Sequence, residues 1–358
     1  MPTLTKSSFI KPLTSICSVL LITGCIEKEK IVTIPDAENI LFTTQGKLLI
    51  SGGTNIFQVT AKVNEDGTTS YEEDPVYFGD RKCAFGGIAQ SGNWAFSVCK
   101  ELYLEWKGWT LRTVQDTHLL AAKLNESPIV FKALDVDLEN DPMDSMFIPN
   151  GMGFAPTGEL IIADTNFFAP STVGRITLDY SGDYPTVASF DSDWLGSEYG
   201  FESPNGVRVE GNTMYISDAN KVRRLFFNEA GEVPLLFNNA NGEEVSNLPD
   251  DNEFYTGGVI VDDIMPYCGG IAVTHFVESK LVFQNEEGEK YYTLPFSFEA
   301  PTALAIGQGE GFNGNDLMVT EKGVVLETTS SIGNRLIRVP MDFDLSDPLT
   351  CEALSNLN

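Results

Sequence analysis

The sequence predicts an all-β chain that folds as a six-bladed β-propeller. Short apolar or alternating runs rich in Ile, Val, Phe and Tyr recur between clusters of Gly, Asn, Asp and Pro, and helical periodicity is nearly absent. Such runs are typical of strands joined by turns. Units of this kind, spaced 45 to 64 residues apart, begin near Ile40, Gly86, Asn150, Asn205, Gly257 and Thr302. Repeats of roughly 40–50 residues that each contain several strands indicate propeller blades.

Two units show the repeat most clearly. They are PNGMGFAPTGELIIADTNFFAPSTVGRITL from Pro149 and SPNGVRVEGNTMYISDANKVRRLFF from Ser203. Each reads Pro-Asn-Gly, an apolar strand, a glycine turn, a second apolar strand that ends in Asp164 or Asp218, a loop and a third strand. We interpret the two aspartates as turn caps rather than ligands. A β-sandwich is the main alternative fold, but it does not explain the repeated order of these elements.

The N-terminus predicts export. Residues 1–24 contain Lys6 and Lys11, no acid, and an apolar stretch too short to span a bilayer, which is the layout of a signal peptide. The sequence ITGC that ends at Cys25 resembles the bacterial lipobox and implies that Cys25 is lipidated. Ile26, where an Asp would favour the inner membrane, indicates the outer membrane of the cell envelope. The alternative is an ordinary signal peptide with an incidental cysteine.

The sequence predicts three segments. Residues 1–24 are the signal peptide, residues 25–35 a charged tether, and residues 36–358 a single propeller domain. The chain has 51 acidic and 23 basic residues and a formal net charge of −28. Such a surface repels nucleic acid and anionic lipid, so we expect no nucleic-acid partner and membrane contact only through the lipid. It is compatible with divalent cations.

Four further cysteines suit an oxidising compartment. Cys83 and Cys99 flank a turn signal at the midpoint of CAFGGIAQSGNWAFSVC, so a hairpin would bring them opposite each other. Cys268 and Cys351 would then pair by elimination, although spacing alone does not fix connectivity. The alternative is a set of reduced, buried thiols.

On these repeats, the chain resembles the superfamily of the senescence-marker-protein and gluconolactonase family, the paraoxonase-type arylesterases and the strictosidine-synthase-like proteins, and its second clear unit resembles an NHL repeat. In the calcium-dependent hydrolases of that superfamily, residues at the inner ends of the blades converge on a metal. The resemblance implies a Ca²⁺ site formed by Glu38, Asn150 and Asn205. Their carboxylate and amide oxygens are ligands that Ca²⁺ accepts, and the bound ion would polarise a lactone or ester carbonyl.

The resemblance weakens at the fifth blade, where Gly257 and Gly258 stand in place of an acid and an amide. Asp251 or Glu253 could replace the carboxylate only through an excursion of the loop. We interpret the pair at 262–263 as solvated aspartates before a turn. His275 matches a paraoxonase-type histidine near the substrate and is a candidate general base; the alternative is a buried polar residue with satisfied hydrogen bonds.

Other features of the sequence limit the kinds of site and reaction that the chain could support. Asn150 and Asn205 have an alternative role as turn residues, because Asn-Gly tolerates left-handed backbone geometry. With only two histidines, the chain cannot form a histidine-rich transition-metal centre. No Gly-x-Ser-x-Gly, Walker or Cys-x-x-Cys motif is present, which argues against serine-nucleophile and P-loop nucleotide chemistry.

The sequence thus supports two functions. The first is a calcium-dependent lactonase or esterase that acts on a small carbonyl substrate at the mouth of the channel. The second is a non-catalytic propeller that binds a protein or a glycan at the cell envelope. The three matched positions in three blades favour the first function, and the lipid anchor, the acidic insertions and the glycine pair favour the second.

Overall fold

The computed structural model describes residues 28–341, except for residues 54, 82, 102–115, 137–141, 167–170, 268, 295–297 and 324–329. The predicted signal peptide and the lipidation site at Cys25 lie outside the described residues. In the described part of the chain the secondary structure is β-strand, apart from two short 3₁₀ helices at Pro142–Ser145 and Ser197–Tyr199. None of the described helices is long and apolar enough to cross a bilayer.

The first three blades are four-stranded antiparallel sheets whose strands follow one another in sequence, from the channel outward. Blade 1 contains β2 (Ile40–Phe42), β3 (Leu48–Ser51), β4 (Ile56–Val63) and β5 (Thr69–Pro75). Blade 2 contains β6 (Cys83–Ser91), β7 (Trp94–Glu101), β8 (Thr117–Lys123) and β9 (Lys132–Ala133). Blade 3 contains β10 (Pro149–Phe154), β11 (Leu160–Asp164), β12 (Thr172–Asp179) and β13 (Thr186–Leu195).

Blades 4 to 6 repeat the pattern with two variations. Blade 4 contains β14 (Pro204–Glu210), β15 (Thr213–Asp218), β16 (Lys221–Phe226) and β19 (Glu253–Thr256), and carries a separate hairpin of β17 (Leu236–Asn238) and β18 (Glu244–Ser246). Blade 5 contains β20 (Val261–Tyr267), β21 (Gly270–His275), β22 (Lys280–Gln284) and β23 (Lys290–Leu294). Blade 6 contains β24 (Pro301–Ile306), β25 (Asp316–Glu321), β26 (Arg335–Pro340) and β1 (Glu29–Thr33).

The innermost strands close a ring, so the predicted six-bladed propeller is confirmed. Contacts join β2 to β6, β6 to β10, β10 to β14, β14 to β20, β20 to β24, and β24 back to β2. Apolar layers fill the space between neighbouring blades; Phe283, Leu304 and Ile337, for example, belong to one such layer between blades 5 and 6. Burial of this apolar area is the main driving force that holds the sheets together.

The N-terminal strand closes the propeller. Strand β1 pairs antiparallel with β26, at the outer edge of the last blade. Val32 and the following Ile34 are buried. The segment predicted as a tether therefore contributes strand β1 (Glu29–Thr33) to the last blade. Its alternating pattern was too short to stand out from the charged residues around it.

Two cysteines of the second blade, one in β6 and one in β7, form the predicted disulfide. Cys83 and Cys99 are bonded, with a Cα–Cα distance of 4.9 Å, and both are buried in the core between blades 1 and 2. The predicted Cys268–Cys351 pair lies outside the described residues.

Candidate functional site

A bulge at the start of five of the six inner strands places side chains at the mouth of the central channel. The pairing register shifts in five inner strands, at Phe85/Ile88, Pro149/Met152, Pro204/Val207, Val261/Ile264 and Pro301/Leu304. The first residues inside these bulges are Gly86, Asn150, Asn205, Asp262 and Thr302, and Glu38 occupies the corresponding place before β2. A bulge leaves a residue outside the ladder and re-aims its side chain.

Hydrogen bonds show which of these side chains meet. The Asn150 Nδ2 donates to Glu38 Oε1 at 3.2 Å. These residues belong to blades 3 and 1, which are not neighbours, so the bond crosses the channel. The Asn205 Nδ2 donates to Asp262 Oδ1. We call Glu38, Asn150, Asn205 and Asp262 the mouth cluster.

The fifth blade is where the sequence interpretation was wrong. Its inner strand begins at Val261, four residues after the predicted start at Gly257, and Asp262 fills the position that Asn150 and Asn205 fill in blades 3 and 4. Asp262 and Asp263 are 7% and 2% exposed, so they are not solvated surface residues. The carboxylate that seemed to be missing from the fifth blade is Asp262.

The glycines of the two Pro-Asn-Gly motifs serve close packing rather than a turn. A Cβ on Gly151 would lie 2.2 Å from the carbonyl oxygen of Asn205, and one on Gly206 would lie 2.6 Å from Asp263 Oδ1. Neither glycine has a positive φ. The motifs therefore lie within inner strands, where the absence of a side chain lets adjacent strands approach. The alternative role of Asn150 and Asn205 as left-handed turn residues is not observed.

Lys322, which the sequence analysis did not single out, reaches the mouth cluster from blade 6. Its ammonium forms an ion pair with Glu38 Oε2, and its Nζ lies 3.6 Å from Asp36 Oδ1. Burial alone would lower the pKa of Lys322, but the Glu38 and Asp36 carboxylates raise it above its ordinary value. Lys322 therefore carries a positive charge at the mouth.

A second polar layer lies one step deeper in the channel. The Arg208 guanidinium forms an ion pair with Asp263 Oδ2, and its Nη2 lies 3.4 Å from Asn39 Oδ1. Because Asn39 and Arg208 belong to opposite blades, 1 and 4, the guanidinium spans the channel. This layer narrows the channel beneath the mouth cluster.

The two layers together hold more negative than positive charge. Four carboxylates, those of Asp36, Glu38, Asp262 and Asp263, face the cations of Lys322 and Arg208. Burial, and after it the charge of Glu38, raises the pKa of Asp262 well above its usual range. Burial raises the pKa of Asp263 to about 6, although Arg208 opposes the shift. The raised values are what an excess of buried negative charge produces.

His275 lies outside this cluster. Its side chain is fully buried, its Nε2 lies 2.6 Å from the Tyr255 hydroxyl in the outermost strand of blade 4, and a Cβ on Gly258 would clash with the ring. Burial lowers the pKa of His275 to about 4. A fully buried ring of this kind suits a structural residue between blades 4 and 5, and not the predicted general base at the channel mouth.

The repeat explains the position of His275. It pairs with Val261 across the sheet as Asp164 pairs with Pro149 and Asp218 with Pro204. Asp164 Oδ1 accepts bonds from the main-chain N–H groups of residues 147 and 148 at 2.8 Å, and Asp218 Oδ1 accepts them from residues 202 and 203. The interpretation of both aspartates as turn caps matches these contacts. His275 fills the same structural position in blade 5.

Aligning the second strands of the blades would have corrected both the role given to His275 and the start of the inner strand of blade 5. Set against GELIIADT and NTMYISDA, the fifth-blade segment GGIAVTHF places His275 opposite the capping aspartates. The strand that precedes it must then begin near Val261, and Asp262 becomes the residue that faces the channel. The signal was missed because the fifth blade lacks Pro-Asn-Gly.

Exposed apolar side chains surround part of the mouth. The loops that precede the inner strands and those that join second to third strands lie on the same face as the mouth cluster. Val259 and Ile260 precede β20, Val277 follows β21, and Ile332 precedes β26; they are 59%, 39%, 53% and 51% exposed. This rim gives the polar mouth an apolar border on the side of blades 5 and 6.

The fold and the polar channel define a class, a six-bladed β-propeller with oxygen-rich side chains at one mouth. No protein-family model matches the chain, and no curated protein matches it significantly. Solved structures do. A luciferin-regenerating enzyme is 11% identical, with a TM-score of 0.53 over 89% of this chain and 98% of that one.

Two further solved structures are similar. A calcium-binding protein, regucalcin, from Agrobacterium tumefaciens is 13% identical, with a TM-score of 0.51 over 89% of this chain and 96% of that one. The PQQ-bound aldose sugar dehydrogenase from Streptomyces coelicolor is 12% identical, with a TM-score of 0.49 over 88% and 98% of the two chains. At these identities the likeness to the luciferin-regenerating enzyme and to regucalcin establishes the propeller fold alone.

The mouth cluster suits a hard divalent cation. Its members offer carboxylate and amide oxygens, and rotating each asparagine amide would turn Oδ1 toward an ion in the channel. The four carboxylates of the two polar layers outnumber the two cations, and a divalent ion would favour the ionised forms of Asp262 and Asp263. In the described part of the chain no group of three or more His, Cys, Asp or Glu side chains is placed to hold a metal; the mouth cluster instead combines two acids with two amides.

Proposed function

We propose that this propeller binds a divalent cation, Ca²⁺, at the mouth cluster and hydrolyses a small lactone or ester there. The observation that carries the proposal is the convergence of Glu38, Asn150, Asn205 and Asp262 from four blades on one mouth of the channel. The excess of buried carboxylates over buried cations supports it, because a bound divalent cation would favour the ionised forms of Asp262 and Asp263, whose pKa values are raised without it.

The chemistry follows from the residues. A bound divalent cation would polarise the substrate carbonyl and stabilise the oxyanion that forms. Asp262 would accept the proton of the attacking water through the carboxylate oxygen that does not hold the ion. That proton then passes to the leaving oxygen of the ester or lactone. The Arg208–Asp263 layer supports the cluster from below, and the apolar rim of Val259, Ile260 and Val277 suits the hydrocarbon part of a substrate.

Calorimetric titration of Ca²⁺ into a soluble chain that starts at Ile26 tests the proposal, together with hydrolysis assays on lactones and aryl esters. Asn205→Ala should abolish both the binding heat and the hydrolysis. Asn241→Ala, in the exposed turn of the β17–β18 hairpin, should leave both unchanged. If neither binding nor hydrolysis occurs in the unmutated chain, the polar channel is a structural ion-pair network. The non-catalytic propeller that binds an envelope protein or glycan then becomes the better hypothesis.

We also propose that the chain is exported and anchored to the bacterial envelope through lipid on Cys25, with the outer membrane as its location. The lipobox-like residues before Cys25 support this, and so does the Cys83–Cys99 disulfide, since such bonds persist mainly in oxidising compartments. The variant Cys25→Ser should move from the membrane fraction to the soluble fraction. Equal membrane retention of the variant would reject the anchor.

A further inference from the structure

Lys322 occupies an unusual place for a surface-type residue. Its main-chain N–H donates to the Ala300 carbonyl at 3.0 Å, and its carbonyl accepts from the Asn334 N–H at 3.3 Å. The backbone is therefore held on both sides while the side chain extends to the mouth cluster. Its side chain is only 17% exposed, and burial acts on the pKa of the ammonium, so the charged group is largely enclosed at the cluster.

We infer that Lys322 is a tethered competitor for the divalent cation, binding Glu38 when the metal is absent and leaving Glu38 when the metal enters. The inference rests on the proposed function, because it concerns control of the same site. It assigns to this chain an internal cation that makes metal binding weaker and the metal-free fold more stable.

The two carboxylate oxygens of Glu38 have different partners. One oxygen, Oε1, accepts the Asn150 amide and the other, Oε2, is paired with Lys322. A metal that takes Glu38 as a ligand must approach the ammonium or displace it, since two cations close to one carboxylate repel each other. Metal binding and the Lys322–Glu38 ion pair therefore oppose each other.

Asp36 provides the displaced ammonium with a second anchor. Its Oδ1 lies 3.6 Å from Lys322 Nζ, and its backbone N–H is fixed by a bond to Asn334 Oδ1 at 2.5 Å. Lys322 can thus move from Glu38 toward Asp36 without losing an anionic partner. This second partner lowers the free energy needed to displace the ammonium, and it makes the competition reversible.

The competition places the site in the low-affinity class. Calcium sites of extracellular modules have dissociation constants of about 10⁻⁴–10⁻³ M, and tighter sites use more ligand charge. An internal ammonium reduces the effective ligand charge. The site would then stay metal-free where Ca²⁺ is scarce and fill in calcium-rich surroundings.

The test is calcium calorimetry on the soluble chain at fixed ionic strength, comparing Lys322→Met with the unmutated chain. The methionine removes the charge and keeps much of the length, so we expect the dissociation constant to fall at least tenfold. Lys322→Arg keeps the charge and should bind within about threefold of the unmutated chain. Lys221→Met removes an ammonium that is also paired with two acids, Glu202 and Glu253, in blade 4, and should have no effect.

A thermal-unfolding series covers the case in which Lys322→Met is unstable without metal. Its unfolding midpoint in chelator should drop, because Glu38 and Asp36 lose their cation, and Ca²⁺ should raise that midpoint more than it raises that of the unmutated chain. Lys322→Gln provides a second variant with a polar, uncharged head. The same larger calcium response is expected for it.

Each outcome separates the inference from the proposed function. Binding in the unmutated chain without tighter binding in Lys322→Met overturns the inference and leaves the function standing. Binding only in Lys322→Met supports the inference and overturns a working calcium site in the natural chain. Weaker binding in Lys322→Met, or no calcium response in any variant, overturns the inference; the latter overturns the calcium site as well.

Discussion

At the scale of single residues, the mouth cluster brings together two buried carboxyl groups, Glu38 and Asp262, whose proximity lowers the stability of the fold when no ligand is bound. Glu38 and Asp262 belong to blades 1 and 5, and the charge of Glu38 raises the pKa of Asp262. Asp262 is 7% exposed, so water screens the repulsion only weakly. Functional sites commonly lower the stability of the fold in this way, because the arrangement is complete only with its ligand.

The substitution Asp262→Asn should separate stability from binding. Replacing a buried carboxyl group whose pKa is raised by burial and by Glu38 should leave the free energy of unfolding in chelator unchanged or raise it by about 1 kcal/mol. At Ca²⁺ concentrations 100 times the dissociation constant, binding should stabilise the unmutated chain by about 2.7 kcal/mol, and the variant should lose this gain. Urea unfolding with and without Ca²⁺ measures both. A variant that is less stable in chelator and keeps the calcium gain would contradict the assignment.

His275 gives a pH dependence of stability. Its pKa in the folded protein is lowered to about 4 by burial, whereas an unfolded histidine titrates near 6.5. Between these values the unfolded chain binds more protons, so His275 contributes stability above pH 6.5 that is lost as the pH falls toward 4. The loss should reach roughly 3 kcal/mol at about 1.4 kcal/mol per pKa unit. His275→Gln should remove this component from urea-unfolding curves between pH 7.5 and 4.5. An unchanged pH dependence in the variant would show that the pKa of His275 does not differ between the folded and unfolded chains.

At the scale of elements, closure of the ring depends on β1. Removing residues 1–35 would take away the buried Val32 and Ile34 and leave the edge of β26 unpaired. Full burial of such side chains contributes about 1.5–3 kcal/mol each, so a chain that begins at residue 36 should lose at least about 3 kcal/mol relative to one that begins at Ile26. Chemical denaturation of the two purified chains measures the difference. Equal stability would mean that β1 is dispensable.

The disulfide of the second blade should contribute stability without affecting the site. Cys83 and Cys99 are 16 residues apart in sequence, and closing a loop of that size stabilises a fold by about 3 kcal/mol in the chain-entropy description. The double substitution of Cys83→Ser with Cys99→Ser should lower the free energy of unfolding by about that amount. Calcium affinity should stay within threefold, because neither cysteine contributes to the mouth cluster. A loss of affinity equal to that of Asn205→Ala would contradict this separation.

At the scale of the whole molecule, repetition made the fold predictable. Short strands and turn glycines recur in each unit, and a ring of similar blades is the arrangement that buries their apolar faces. The closing strand β1 could not be predicted in the same way. It lies at the opposite end of the sequence from the blade that it completes, and five residues, three of them polar, carry little periodic signal.

The candidate site was predicted in part. Glu38, Asn150 and Asn205 converge as expected because their motifs mark the start of inner strands. Asp262 was missed because its blade starts without the motif, and Lys322 because its role depends on a contact between blade 6 and blade 1. A contact of that kind comes from closure of the ring and leaves no pattern in local sequence.

The most direct test of the central claim, a divalent cation held by four blades, is a crystal structure of the soluble chain soaked in Ca²⁺, with anomalous difference maps. We predict one peak in the channel about 2.3–2.6 Å from oxygens of Glu38, Asn150, Asn205 and Asp262, with the Lys322 ammonium displaced from Glu38 toward Asp36. A channel without a peak, in which Lys322 still pairs with Glu38 at saturating Ca²⁺, would contradict the account.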